Sequence, residues 1–308
     1  MKIVVTGGAG FIASHITDAY VAAGHDVVVV DDLSSGKRAN LNPKARFVQL
    51  DIQDGAAVGE LFAREKPEVL NHHAAQMDVR RSVADPVFDA RVNIVGLLNL
   101  MEQGRRNGLK RVIFASTGGA IYGEQEAFPA PETHPLAPIS PYGVAKLSSE
   151  RYLFFYFTAY GIPYLACRYG NVYGPRQNPH GEAGVIAIFI EKFLRGEHPI
   201  INGDGKQTRD YVFVGDLARA SVAALKSDYC GALNFGNGRE TDVNTLYERL
   251  APLCGSSAPA QHGPAKPGEQ LRSVIDASAA GRVLRWRPEV SLDEGLRQTV
   301  EWFRARKQ

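Results

Sequence analysis

Cysteine, long apolar runs and an excess of either charge are all scarce in this chain, and each scarcity removes a class of protein. The three cysteines, Cys167, Cys230 and Cys254, are far apart and odd in number, so neither a disulfide framework nor a paired metal site is indicated. No stretch approaches the ~18 apolar residues of a membrane span. Lys and Arg number 35 against 33 Asp and Glu, a formal charge of +2 without blocks of one sign, which argues against nucleic acid as main partner. The basic end, Arg304 to Lys307, reads as the solvated face of a last helix. Met1 and Lys2 lead straight into an apolar strand, without the charged leader and small-residue cleavage site of a secretory signal. A reducing cytoplasm is the expected setting, with no metal and no membrane partner. No internal repeat is visible.

What is present is a chain of 308 residues, 44% hydrophobic, able to bury a large core in one big domain or two ordinary ones. Short β-branched runs alternate with longer amphipathic segments: Lys2–Thr6, Asp26–Asp31, Arg46–Leu50, Glu68–Asn71 and Arg111–Ser116 read as strands. Between them Phe11, Ile12, Ile16, Ala19, Tyr20 and Ala23, and later Val92, Val95, Leu98, Asn99 and Met101, recur at helical spacing. This alternation predicts an α/β fold, a doubly wound parallel sheet of Rossmann type. From about Arg168 glycine and loops increase, with a helix expected at Val185–Leu194 and a loop from Gly255 to Gly268. Residues 1–167 are read as the sheet domain and 168–308 as a smaller substrate-binding domain, some of whose segments return to the sheet.

Gly7-Gly8-Ala9-Gly10-Phe11-Ile12-Ala13 follows the first strand and opens the first helix, the setting a glycine-rich dinucleotide fingerprint requires. Gly7 and Gly10 allow the tight turn and the approach of a pyrophosphate to the helix N-terminus. Ala13 stands where a third glycine often sits and governs packing of helix on strand. Asp31 ends the second strand about twenty residues beyond the loop, where a carboxylate accepts from ribose hydroxyls. Asp32 beside it disfavours a 2′-phosphate, so NAD is expected rather than NADP. Asp51-Ile52 is placed to touch adenine, and His73-Ala74-Ala75-Gln76 to line the cofactor crevice. Phe11, Ile12, Leu33, Ser35, Gly36, Asn93, Ser116 and Tyr169 complete the cofactor candidates, Asn93 being equally readable as a surface asparagine. His72 and His73, adjacent at a strand end, point to opposite faces and do not form a metal pair.

Tyr142-Gly143-Val144-Ala145-Lys146 puts a phenol and an ammonium on one face of a helix. A phenol with a reference pKa of about 10 is a poor base at neutral pH unless a fixed cation favours its phenolate. Lys146 supplies that cation. Ser116-Thr117, at the end of the fifth strand, offers a hydroxyl that can align a reacting alcohol with the phenolate.

Through these motifs the chain resembles the extended short-chain dehydrogenase/reductases over essentially its full length, and within them the UDP-hexose 4-epimerases. The likeness runs through Val5–Ile12, Ala115–Gly123, Ser140–Lys146, Arg168–Gln177 and Gly203–Val212. It implies NAD-dependent inversion at C4 of a UDP-hexose through a 4-keto sugar, with Tyr142 as base, Lys146 tuning it and Thr117 positioning the hydroxyl. It also implies that Asn171 and Arg209 hold the diphosphate near Tyr211, and that Lys266 or Arg272 completes the nucleotide site; Val185 and Glu269 join the substrate candidates.

Dehydratases of this family carry an Asp-Glu pair after the catalytic threonine, where this chain has Gly118 and Gly119. Epimerisation is therefore the preferred reading, against another nucleotide-sugar oxidoreductase, dehydratase or decarboxylase, an epimerase of UDP-N-acetylglucosamine or UDP-glucuronate, or a non-catalytic relative. Family likeness also puts Ser273 opposite the sugar's C2 substituent, where serine leaves room for an acetamido group; a strand serine facing solvent is the alternative. The Leu153-Phe154-Phe155-Tyr156-Phe157 band carries more aromatic surface than one buried stripe uses, which predicts a homodimer through helices at about Val87–Gly104 and Tyr142–Tyr160.

Overall fold

The computed structural model of the protein describes residues 1–180, 184–265 and 270–306. Seven parallel strands make the main sheet: β1 (Lys2–Thr6), β2 (Asp26–Asp31), β3 (Arg46–Gln49), β4 (Val69–His72), β5 (Arg111–Thr117), β6 (Tyr164–Tyr169) and, from much later in the chain, Gly231–Phe235. Spatial order runs β3-β2-β1-β4-β5-β6 and then the late strand, so the direction of winding reverses between β1 and β4. The crevice outside the carboxyl ends of those two strands is where a doubly wound sheet binds ligand.

Both sheet faces are covered, which is why the strands read as continuous apolar runs. Ile3, Val5, Val27 and Val29 point into one core, Val4, Val28 and Val30 into the other. Helix α1 (Phe11–Ala22) covers the first face through Ile16 and Tyr20. On the second face lie α2 (Gly55–Glu65), capped by Asp54 accepting from the N–H groups of Ala56 and Ala57, and then α3 (Val79–Ala84), α4 (Pro86–Ala90), α5 (Gly96–Arg106) and α6 (Pro141–Tyr160). Ser140 caps α6, Pro141 sits in its first turn, and Gly161 closes it at φ 67°.

The expected helix from Val87 to Gly104 is interrupted. A π-helical turn, Arg91–Val95, separates α4 from α5, and its extra residue rotates the faces of α5 relative to those of α4. Leu97, Leu100 and Met101 fill the core, while Val95 of the expected apolar face is 46% exposed. The aromatic band on α6 also divides: Leu153 and Tyr156 are buried, but Phe154, Phe155 and Phe157 are 54%, 49% and 40% exposed.

The remaining chain comprises β7 (Asn171–Tyr173), α7 (Val185–Leu194), β8 (Ile200–Asn202), β9 (Thr208–Arg209), β10 (Tyr211–Phe213), α8 (Val214–Ala224), the late sheet strand β11 (Gly231–Phe235), β12 (Thr241–Asp242), α9 (Val243–Leu253), β13 (Gln261–Gly263), α10 (Ser278–Leu284) and α11 (Leu292–Ala305), and part of it builds a further core. Its core gathers α7, α9, α11 and β10. The boundary expected at 167/168 falls inside β6, and β11, α8 and α10 return to the first core. The segment expected as loop from Gly255 holds β13, which pairs in parallel with β8.

Candidate active site

The glycine turn is built by backbone alone. Gly7 lies at φ 70° with its N–H on the Val30 carbonyl, and a Cβ there would stand 2.7 Å from the Ala74 nitrogen. Gly10 caps α1 without any side chain, leaving the helix N-terminus open at the switch point. Ala13, 2% exposed, packs into the first core, so the position of the third glycine is filled by one methyl.

Asp31 is buried at the end of β2. One carboxylate oxygen accepts from the Ala9 N–H at 3.0 Å and the other from the Leu33 N–H at 2.8 Å, so it braces the turn as well as facing the crevice. Burial raises its pKa, partly offset by those two bonds. A Cβ on Gly36 would stand 2.7 Å from the carboxylate. Asp32 accepts from the Ser34 N–H and hydroxyl, Ser35 is exposed beside them, and Asp51 closes a turn on Gln53. Phe11 and Ile12 open α1 half-buried, and Ile52 is buried against Gly96.

From β4 the chain brings His73, Ala74, Ala75 and Gln76 to the crevice. His72 and His73 do turn to opposite faces, His72 Nδ1 against the Thr6 hydroxyl at 2.7 Å and His73 Nε2 against the Tyr169 hydroxyl at 3.2 Å. Burial lowers both imidazoles, His73 to about 3, so both are neutral. Among the described residues no cluster of His, Cys, Asp and Glu is arranged to hold a metal. Asn93 is not on the surface. At 2% exposure it exchanges hydrogen bonds with the backbone of Gln76, accepting from the N–H at 3.0 Å and donating to the carbonyl at 2.9 Å.

Thr117 ends β5 opposite Tyr169; its hydroxyl oxygen accepts from the Ala120 N–H, leaving its hydrogen to donate outward. Tyr142 is half-buried in the first turn of α6. One turn on, Lys146 is 3% exposed, its Nζ donating to the Ala115 carbonyl at 2.8 Å and lying 5.7 Å from the Tyr142 ring centre. Burial lowers its pKa to about 8, against the opposing pull of Asp89 and Glu150.

Ser116 does not join this group. Strand alternation sends its side chain to the face opposite Thr117, where its hydroxyl donates to Glu150 at 2.5 Å. Glu150 also holds Arg168 in a buried two-pronged ion pair at 2.7 and 3.1 Å. Neither Glu150 nor Asp89 stands out in the sequence as part of the site, although Glu150 follows Lys146, and Asp89 precedes Asn93, by one helical turn.

The substrate candidates spread along the chain after β6. Asn171 starts β7, and a Cβ on Gly119 would lie 3.8 Å from its Oδ1 and 4.0 Å from the Thr117 hydroxyl oxygen. Arg209 is half-buried on β9, one residue from the buried Asp210, and donates to the Thr208 carbonyl. Tyr211 is buried in β10 and Val185 is half-buried at the start of α7. Arg272 is committed elsewhere: both its Nε and Nη2 donate to Glu240, at 2.9 and 2.6 Å, and its guanidinium lies 3.8 Å from the Phe128 ring centre. Ser273 is 3% exposed and so does not face solvent. Lys266 and Glu269 lie outside the described residues.

A glycine turn at the switch point, an acid at the tip of β2 and a phenol–ammonium pair beside a strand-end threonine describe a protein that holds a dinucleotide across a parallel sheet and works on an alcohol at its carboxyl edge. The chain belongs to the NAD dependent epimerase/dehydratase family, whose model matches residues 3–235. It is 45% identical, over an alignment of 314 residues covering 100% of both chains, to the UDP-glucose 4-epimerase of Mycolicibacterium smegmatis. The structure of UDP-glucose 4-epimerase from Thermotoga maritima with UDP-glucose superposes with a TM-score of 0.98 at 48% identity, covering 100% of both chains. The Thermus thermophilus UDP-glucose 4-epimerase complexed with NAD gives 0.94 at 44% identity over 99% of each. Among the described residues no helix is long and apolar enough to cross a membrane.

Proposed function

We propose that this protein is a UDP-glucose 4-epimerase that interconverts UDP-glucose and UDP-galactose, using NAD that is restored in every turnover. The observation that carries the reading is the space around Thr117. A side chain at Gly118 would start 2.8 Å from Ile275 Cδ1 and 3.1 Å from the Tyr169 carbonyl oxygen, so an acid there would require Ile275 to move aside, and the glycine leaves the site without the acid that a dehydratase uses. Gly119 leaves an open side toward Thr117 and Asn171, which suits a sugar that must turn over between two half-reactions.

The residues fit the cofactor. Gly7, Gly10 and the open end of α1 would take the pyrophosphate, Asp31 the adenosine ribose, and Lys146 the nicotinamide ribose; a Cβ at Gly7 would collide with the His73–Ala74 backbone, so only glycine keeps the turn this tight against the crevice. When bound, NAD supplies a reversible hydride acceptor for sugar C4. Tyr142, as phenolate, takes the proton of the 4-hydroxyl and returns it after the 4-keto sugar has presented its other face. Lys146 stabilises the phenolate by charge, and the Thr117 hydroxyl donates to the sugar oxygen and fixes its line of approach. Asn171 and Arg209 bind the diphosphate, for which a guanidinium offers a two-pronged donor. The reading includes a cytoplasmic homodimer, supported by three unpaired cysteines and by the exposed phenylalanines of α6.

The test is incubation of the purified protein with UDP-galactose, UDP-N-acetylglucosamine and UDP-glucuronate, with chromatographic identification of products. UDP-glucose formed from UDP-galactose without net NADH is the expected result. A 4-keto-6-deoxy product, a pentose product or accumulating NADH would each replace the reading.

A further inference from the structure

Asp89 is a carboxylate at 1% exposure on α4. Its Oδ1 accepts from Gln76 Nε2 at 3.1 Å and from Asn93 Nδ2 at 3.0 Å, two neutral donors, and among the described residues it has no cation within ion-pair distance. Burying a carboxylate is costly unless a positive charge offsets it. The positive charge that acts on Asp89 is the Lys146 ammonium, across the packing of α4 on α6.

Lys146 needs such help. It is buried, its Nζ faces the Phe114 ring at 4.7 Å and a single carbonyl, and desolvation favours its neutral amine. The titratable groups facing it are Asp89 from α4, Glu150 from its own helix, Tyr142 one turn earlier, and His72 and His73 from β4. Both histidines are neutral. Glu150 also acts on Lys146, after Asp89 in size, and its charge is shared with Arg168 in an ion pair and with the Ser116 hydroxyl. Asp89 adds a negative charge with no ion-pair partner among the described residues; burial raises its pKa, and Gln76, Asn93 and Lys146 draw it back toward the charged form. A rigid frame holds it: Gln76 and Asn93 clasp each other, and the Ser149 hydroxyl ties the Asn93 carbonyl to α6 at 3.2 Å. The π-helical turn after α4 carries Asn93 into that frame.

We propose that Asp89 is a positioning residue whose buried charge keeps Lys146 an ammonium, and that it thereby sets the alkaline limit of the Tyr142–Lys146 pair. The effect on turnover rests on the epimerase reading; the effect on Lys146 does not.

The experiment tracks the side-chain carbon resonance beside the Lys146 amine in isotope-labelled protein loaded with NAD, assigned by its disappearance in Lys146→Met. Asp89→Asn keeps the shape and an acceptor oxygen but removes the charge. The Lys146 titration midpoint is expected to fall by about one pH unit, the size of an opposite-charge effect at short range. The alkaline limb of kcat/KM is expected to fall with it, while the loss at pH well below the midpoint stays small. An unchanged midpoint in folded Asp89→Asn overturns the proposal, because a purely structural role would lower the melting temperature without moving that titration. Should Asp89→Asn fail to fold, Asp89→Ser in the same measurement decides equally. Absence of 4-epimerase activity in the parent protein would remove the function while leaving the resonance measurement decisive for Asp89.

Discussion

The ammonium of Lys146 donates to the carbonyl oxygen of Ala115 at 2.8 Å, and this bond ties α6 to the strand end that carries Thr117. Phenol and ammonium on α6 are thereby joined to the strand end that carries the hydroxyl. Tyr142→Phe is expected to cost roughly a hundredfold to ten-thousandfold in kcat while retaining NAD, because it deletes the proton acceptor and little else. Lys146→Met should lose activity and also hold NAD less tightly, as measured by cofactor remaining after gel filtration. The ammonium is lost as pH rises through about 8, so the activity of the parent protein should decline above that pH and that limb should be missing from the methionine variant.

Arg168 and Glu150 are 4% and 6% exposed, which makes their ion pair vulnerable from one side. Arg168→Met would strand the Glu150 carboxylate in the core and should destabilise the protein by about 3–5 kcal/mol. Arg168→Met with Glu150→Gln should recover part of that loss. Urea unfolding of both variants checks it; a double variant no more stable than the single one would show that the cost lies in packing instead.

A buried His72 and a half-buried His73, both neutral, make the fold sensitive to acid. The pKa values of His72 and His73 are lowered in the folded protein, so below about 6.5 the unfolded chain binds more protons than the native one. Their contribution is intact above that pH and is lost as pH falls from 6.5 toward about 3, the range set by His73. His73→Gln should flatten the pH dependence of unfolding there by up to about 1.4 kcal/mol per pH unit. Identical slopes for the two proteins would refute the assignment.

Exposed aromatic surface on α6 predicts the oligomeric state. Light scattering at micromolar concentration should give a dimer mass for the parent chain and a monomer for Phe155→Glu, whose side chain would otherwise bury a charge at the contact. A parent monomer would show that the band serves some other contact.

Ser273 is enclosed at 3% exposure, and family likeness puts this small side chain opposite the sugar's C2 group. UDP-N-acetylhexosamine turnover is expected alongside UDP-hexose turnover, and Ser273→Tyr should suppress the former selectively by about 1–3 kcal/mol of discrimination. Equal losses on both substrates would mean that the residue shapes the loop and not the C2 pocket.

Local rules carried the sequence a long way. β1 and β2 run over the segments expected, and α7 spans Val185–Leu194 as expected, because periodicity, turn glycines and strand-end acids act over a few residues. The glycine turn, Asp31, Thr117, Tyr142 and Lys146 were legible for the same reason: each follows or opens an element whose type its neighbours specify. Tertiary structure decided what depends on partners from distant segments. It turned Ser116 to Glu150 and away from Thr117, paired Arg272 with Glu240, and put a π-helical turn at Arg91–Val95, where Val95 is exposed. It also returned β11 to the main sheet, and set Lys146 between Asp89, which has no ion-pair partner among the described residues, and Glu150, which is paired with Arg168. Charge compensation in a desolvated interior depends on which side chains share the space, and that is a property of packing that spacing along the chain does not contain.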